Sequence, residues 1–320
     1  MAQHLPFVTL DVFTSKPYSG NPVAAVFLPE KSKSASITQT QKQRIAREFN
    51  LSETIFIHQG NGAKRTIDIF TKTCEIPFAG HPTIGAAAWH LCHSTEQDKK
   101  TVRVLLTKSG EIPISLQSGN SNVVSAKIAH DVRVHAARFP LSEVLRLHPS
   151  LAPFFPTDEA GESSISFPVV SIVNGMSQVH IKLPTLTALS AVTTAAGGEV
   201  IQVNSGYQDE GWENGICVQY FFVRDTDSCN DRKTVLRTRG VRGNLEDPAT
   251  GSAASGLAAY LTLQDGGEGK FEYHFRQGVE MGRPSEIRVG VVVKEGQIDS
   301  VELKGTAVKV SEGRILVPDA

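Results

Sequence analysis

The chain has 320 residues, 40% of them hydrophobic, and a formal net charge of −1 at pH 7. That length accommodates two domains of about 150 residues, each with its own core. The balanced charge excludes the basic footprint of a nucleic-acid or anionic-membrane binder, and no apolar run reaches the roughly 18 residues of a membrane span, so a small neutral or anionic metabolite is the expected partner.

Val8, Leu10 and Val12 alternate with Thr9 and Asp11, which predicts a strand with one buried face. After the turn Ser19-Gly20-Asn21-Pro22, residues Val23 to Leu28 read as a fully apolar strand. Thr38 and Gln41 form a capping-box start for a helix with the stripe Ile45, Ala46, Phe49, ending near Asn50. Strands are predicted at Ile55–Ile57 and Arg65–Thr71, followed by a meander at Val102–Leu106, Ile112–Leu116 and Val123–Ile128. The proline-rich stretch from Asp131 to Ser164, with a short helix at Leu141–Leu147 and a polar loop at Asp158–Ser164, reads as the inter-domain connection. The second half restarts with strands at Val169–Val173 and Val179–Leu183 and a helix over Thr185–Ala195. Strands at Ile216–Arg224 and Thr234–Thr238 flank a polar loop at Asp225–Lys233, and four more strands fall at Phe271–Phe275, Glu286–Lys294, Val301–Lys304 and Arg314–Val317.

One stretch occurs twice. Pro77 to Trp89 and Pro248 to Tyr260 align at a single offset, setting Gly80 on Gly251, His81 on Ser252, Gly85 on Gly256 and Trp89 on Tyr260. Each copy is a polar, glycine-containing turn followed by small, uncharged residues. A helix without a polar face must be surrounded by protein, so each copy predicts a buried helix at the centre of its half. The helix starts, with free N–H groups and a positive dipole end, suit an anion; facing each other, the pair would hold a small carboxylate. The fold class is therefore α/β with mixed sheets: two pseudo-symmetric domains, each a sheet or barrel around a central buried helix, over 1–130 and 131–320. Return of the last strand to the first domain is left open.

Among candidate residues, Glu53 follows a helix end and has Leu51 and Ile55 as neighbours, so burial would raise its pKa and let it take and return a proton. The alternative is an ordinary turn glutamate. His81 could relay a proton or merely cap its helix. Asp247 could contact substrate or serve as an N-cap, and Ser252, lacking a nucleophile-elbow pattern, could donate a hydroxyl or only cap. His90-Leu91-Cys92-His93 lacks a second cluster to complete a metal site, so no metal is expected. Gly266 to Lys270 departs from a phosphate loop and reads as a hairpin connection; no Rossmann fingerprint follows the first strand. Cys74, Cys92, Cys217 and Cys229 have no framework spacing, and the first three lie in apolar segments. With no signal-peptide pattern at the start, a reducing cytoplasm is expected.

Gly20-Asn21-Pro22-Val23-Ala24, Ala46 to Thr54, Phe78-Ala79-Gly80-His81-Pro82-Thr83 and Glu246 to Ala253 together resemble the signature blocks of the PhzF-like isomerases of phenazine biosynthesis, which have the diaminopimelate epimerase-like fold. The resemblance implies an active site in the cleft between two domains, usually in a homodimer, with no metal or organic cofactor. It implies Glu53 as the acid/base, with His81 and Asp247 also in the catalytic set. Gly80, Gly251 and Ser252 would bind substrate, with Asn21 near its carboxylate. Epimerases of this fold use two thiols at these turns, where this chain has Ala79 and Thr250, so two-thiol stereoinversion is excluded. The chain departs from the shorter bacterial pattern at 131–164 and 225–233. A cofactor-free proton-shift isomerase is the expected function; a non-catalytic metabolite-binding protein on the same fold is the alternative, and a lyase or hydrolase using the same base a third.

Overall fold

The computed structural model describes residues 3–29, 37–119, 122–156, 164–230 and 233–319. The chain divides into two compact units, one formed by 1–128 and 302–320, the other by 129–301.

In the first unit the strand His4–Val12 lies between Ala307–Leu316 and Asn21–Phe27, antiparallel to both. Asn21–Phe27 pairs parallel with Glu53–Ile57, which pairs antiparallel with Lys64–Thr71. That strand pairs parallel with Val104–Thr107, which runs antiparallel to Gly110–Leu116. The helix Gln39–Phe49 makes the Asn21–Phe27 to Glu53–Ile57 crossover. Its capping box at Thr38 and Gln41 is formed, and it ends on Asn50 in the left-handed conformation, as its sequence dictates.

The second unit repeats that order of pairings. Ser166–Val173 lies antiparallel to Arg133–Pro140 and to Met176–Lys182. Met176–Lys182 pairs parallel with Ile216–Asn230, which pairs antiparallel with Lys233–Arg242. Lys233–Arg242 pairs parallel with Gly269–Gln277, itself antiparallel to Ser285–Lys294. The alternation of antiparallel and parallel neighbours is the same in both units, and it supplies the structural counterpart of the repeat.

The two repeated stretches are helices, Gly80–Ala88 and Gly251–Asp265. The first is buried along its whole length and packs on His4–Val12, Asn21–Phe27, Glu53–Ile57 and Val124–Ile128. The second packs on Ser166–Val173, Met176–Lys182, Gly269–Gln277 and Ser285–Lys294. Small residues permit this approach: a Cβ on Gly85 would lie 3.0 Å from Val23 Cγ1, and one on Gly256 only 2.4 Å from Gln178 Oε1.

Several local expectations are corrected. Arg133–Pro140 is a strand, not a connection, because its inward positions carry His135 and Phe139 while Val134 faces solvent, hiding the alternation. The helix Leu141–Leu147 forms as expected; residues 158–163 of the polar loop that follows lie outside the described residues. The helix expected over 185–195 is only Leu186–Ser190, since Arg239 donates to the carbonyls of Leu189, Ser190 and Val192 in place of a further turn. The expected loop at 225–233 is largely strand, with 231 and 232 outside the described residues. Gly266–Lys270 joins a helix to a strand and is not a hairpin connection. A short helix at Glu96–Thr101, capped by Thr95, was not anticipated. Cys217 is buried, but Cys74 is exposed in a turn held by Thr71. No helix among the described residues is long and apolar enough to cross a membrane.

Candidate active site

Glu53 opens its strand three residues after the left-handed Asn50, and the antiparallel register sets its backbone opposite Thr71. Its side chain is 18% exposed and Oε2 lies 3.5 Å from His81 Nε2. Burial pushes its carboxyl above the ordinary range, with a Ser52 hydrogen bond opposing the shift. Carboxyl and imidazole are thus in contact, though beyond the roughly 2.7–3.2 Å of a formed N–H···O bond.

His81 is the second residue of the Gly80 helix, whose N-cap is Ala79. Alanine has no side-chain acceptor, so the helix start has no side-chain cap, and the Thr83 hydroxyl folds back onto the Ala79 carbonyl at 2.8 Å. First-turn N–H groups have no intrahelical acceptor, and the dipole end is positive there. Asn21 is buried and opens the strand Asn21–Phe27 in the same unit.

In the second unit the N-cap of the Gly251 helix is Thr250, and Ser252 is buried in the first turn. Neither Asp247 nor Ser252 is the cap residue. Asp247 closes the strand Leu245–Asp247, and its Oδ2 accepts the Thr250 hydroxyl at 2.8 Å. Beside it, Glu246 forms a two-pronged ion pair with Arg239, both contacts 2.7 Å and both side chains largely buried. Sequence reasoning did not find Gln277, which bonds to this turn from a neighbouring strand, or Tyr220, which bonds to Gln277. Each reads as an ordinary strand residue, and only the pairing of Thr238 with Gln277 brings them together.

In the corresponding strand of the second unit, Gln219 lies opposite Val241 as Thr54 lies opposite Phe70, so the register counterpart of Glu53 is Val218. The duplicated architecture therefore carries a carboxylate at this position once, which suits removal and return of a proton by one group. Among the described residues no group of His, Cys, Asp and Glu is arranged to hold a metal ion. His90 packs against Asp98, and His93 bonds the Ala307 carbonyl at 3.0 Å.

The family model for phenazine biosynthesis-like proteins matches residues 10–313. A relative from Pseudomonas chlororaphis, a trans-2,3-dihydro-3-hydroxyanthranilate isomerase, is 31% identical over 97% of this chain and 99% of its own. The fold matches the crystal structure of the PhzF-family phenazine biosynthesis protein of Bacillus anthracis with a TM-score of 0.69 at 19% identity, covering 98% of this chain and 100% of that one. It also matches a probable proline racemase from Agrobacterium radiobacter with a TM-score of 0.59 at 12% identity, covering 98% of this chain and 93% of that one. With its signature blocks, its doubled sheet order and a model match across nearly its whole length, the chain belongs to the phenazine biosynthesis-like family and is an isomerase of that family.

Proposed function

We propose that this isomerase shifts a proton between carbons of a small unsaturated or amino carboxylate, with Glu53 as the acid/base. The observation that carries the reading is the buried carboxyl of Glu53, raised by desolvation and lying 3.5 Å from His81 Nε2 at the start of the central helix. In its ionised form Glu53 removes a proton from a carbon acid. The electron pair left behind delocalises into the conjugated system, and the resulting carboxylic acid delivers the proton to a second carbon. One proton leaves a carbon and one is returned, with no net change in electrons, so the step is redox-neutral and consumes no co-reactant.

A positioned carboxylate supplies roughly 10²–10⁴-fold as a general base, and orientation and charge stabilisation must supply the rest. The remaining roles follow the same reading. His81 holds Glu53 in place and exchanges a proton with it. The backbone at Gly80 and Gly251, together with Asn21 and Ser252, binds substrate, and Asp247 is a polar contact to it. The Pseudomonas chlororaphis relative acts on trans-2,3-dihydro-3-hydroxyanthranilate, an amino carboxylate of the proposed class, which makes that compound the first to assay. The free thiols Cys74, Cys92 and Cys217 support a cytoplasmic setting. A homodimer, proposed on the family resemblance, is checked by light scattering.

The test is proton NMR in D₂O with trans-2,3-dihydro-3-hydroxyanthranilate and a panel of small cyclic and amino carboxylates, comparing wild type with Glu53→Gln. Deuterium entering a carbon position with wild type alone is the expected result. Equal binding by both proteins without exchange would replace the isomerisation with a metabolite-binding role.

A further inference from the structure

We infer that Gln277 and Tyr220 are positioning residues for the Asp247–Ser252 turn, linked to it by a hydrogen-bond relay of fixed direction. The relay stands on distances within one unit. The fully buried Gln277 donates from Nε2 to the Asp247 carbonyl at 2.7 Å and to Thr250 Oγ1 at 2.9 Å, and its Oε1 accepts the Thr250 N–H at 3.1 Å. Tyr220, also fully buried, places its hydroxyl 2.9 Å from the same Oε1 and 3.1 Å from Thr238 Oγ1.

The chemistry of the partners fixes each proton. The Thr250 N–H can only donate and the Asp247 carbonyl can only accept, so the amide cannot be turned over without leaving two clashes. Gln277 Oε1 is therefore an acceptor, and the Tyr220 hydroxyl donates to it at 2.9 Å, with Thr238 Oγ1 a second, longer acceptor at 3.1 Å. Because Thr250 Oγ1 receives the amide hydrogen, its own hydrogen is directed to Asp247 Oδ2, 2.8 Å away. The direction runs from Tyr220 through Gln277 and Thr250 to the Asp247 carboxylate. A buried network satisfied in this way rigidifies what it holds. Burial also pushes the Tyr220 phenol up, out of the range where it would ionise and reverse the relay.

The catalytic part of this inference rests on the proposed role of Asp247 and Ser252; the clamp itself does not. The experiment separates them with Gln277→Met, which keeps volume and removes the amide, and Tyr220→Phe, which removes one hydroxyl. Amide hydrogen exchange comes first. In Gln277→Met the Thr250 amide exchanges at least about tenfold faster, whereas the Ala254 amide, bonded to the Thr250 carbonyl at 3.0 Å, keeps its protection. Tyr220→Phe gives a smaller acceleration at the same site. Turnover of trans-2,3-dihydro-3-hydroxyanthranilate is then measured: kcat falls roughly 10–100-fold with KM changed much less, as expected when a group is misplaced and not deleted.

Unchanged exchange at Thr250 in both variants overturns the clamp. Faster exchange with kcat within about twofold of wild type overturns the positioning role. Absence of turnover by wild type sinks the proposed reaction instead, and the exchange result then decides the clamp alone.

Discussion

Glu53 Oε2 lies 3.5 Å from His81 Nε2, and the carboxyl of the pair is the one that burial disfavours as an anion. Its folded-state pKa lies above the unfolded value, so its contribution to stability is fully present below the unfolded pKa of 4.5 and is lost as pH rises through the folded value. Glu53→Gln is therefore expected to melt higher than wild type at pH 8, with that advantage shrinking at pH 4, while losing about 10³-fold or more in proton exchange. The wild-type rate is expected to rise with pH through an inflection above 4.5. Melting curves at the two pH values check the first half; a variant that melts lower at pH 8 would show that the ionised carboxylate is well solvated.

Burial lowers the pKa of four histidines, His90, His135, His148 and His180, and two of them show its consequence for acid stability. His180 in the second unit has no hydrogen-bond partner for either ring nitrogen among the described residues, and burial takes its pKa down to about 3. His90 in the first unit is taken down to about 4, again chiefly by burial, against the opposing pull of Asp98. Both folded values lie below the unfolded value of 6.5, so the unfolded chain binds the extra proton first. Stability is unaffected above pH 6.5 and falls as pH drops from there toward 4, by roughly 2 kcal/mol per histidine at pH 5. Urea midpoints measured from pH 8 to 5 should show the decline, and His180→Phe should flatten part of it. An unchanged slope in that variant would mean that His180 charges freely in the folded protein.

Arg239 holds two things at once. It pairs with the buried Glu246 and takes the carbonyls at the end of the short Leu186–Ser190 helix. Arg239→Ala leaves a buried carboxylate and those carbonyls without their donor, and is expected to cost about 3–5 kcal/mol. Glu246→Gln keeps an acceptor in place and should cost less. Thermal denaturation of both variants checks the order; equal losses would assign the whole effect to the ion pair and none to the carbonyls.

The repeat predicts an asymmetry between its two helix glycines. Gly256→Ala drives a methyl to 2.4 Å from Gln178 Oε1, whose own amide is tied to the Met176 carbonyl, whereas Gly85→Ala meets Val23 Cγ1 at 3.0 Å. Overpacking of this kind costs about 1–3 kcal/mol, and Gly256→Ala should lie at the upper end. Adding Gln178→Ala should recover part of the loss in melting temperature; no recovery would place the strain in the backbone.

Much of this was legible in the sequence because local chemistry and global fold agree. Thr38 and Gln41 announce a helix start, Asn50 its end, and the apolar alternation in Arg65–Thr71 needs no tertiary information. The repeated turns and buried helices were readable because helices without a polar face have few places to go. What could not be read depends on distant partners. His135 takes an inward position because Ser171 offers a hydrogen bond at 2.8 Å, and the helix after Thr185 stops because Arg239, far along the chain, donates to its carbonyls. Gln277 and Tyr220 gain meaning only from strand register, which no local pattern encodes.

The first unit is the last to be finished. Its strand His4–Val12 is flanked on one side by Asn21–Phe27, available early in synthesis, and on the other by Ala307–Leu316, which follows the whole second unit in the chain. The equivalent neighbour in the second unit, Arg133–Pro140, precedes its partner Ser166–Val173 in the chain. The second unit can thus close before the first, which carries an open sheet edge until residues 307–316 are available. A nascent chain stalled before residue 307 should accordingly be the aggregation-prone species of this protein.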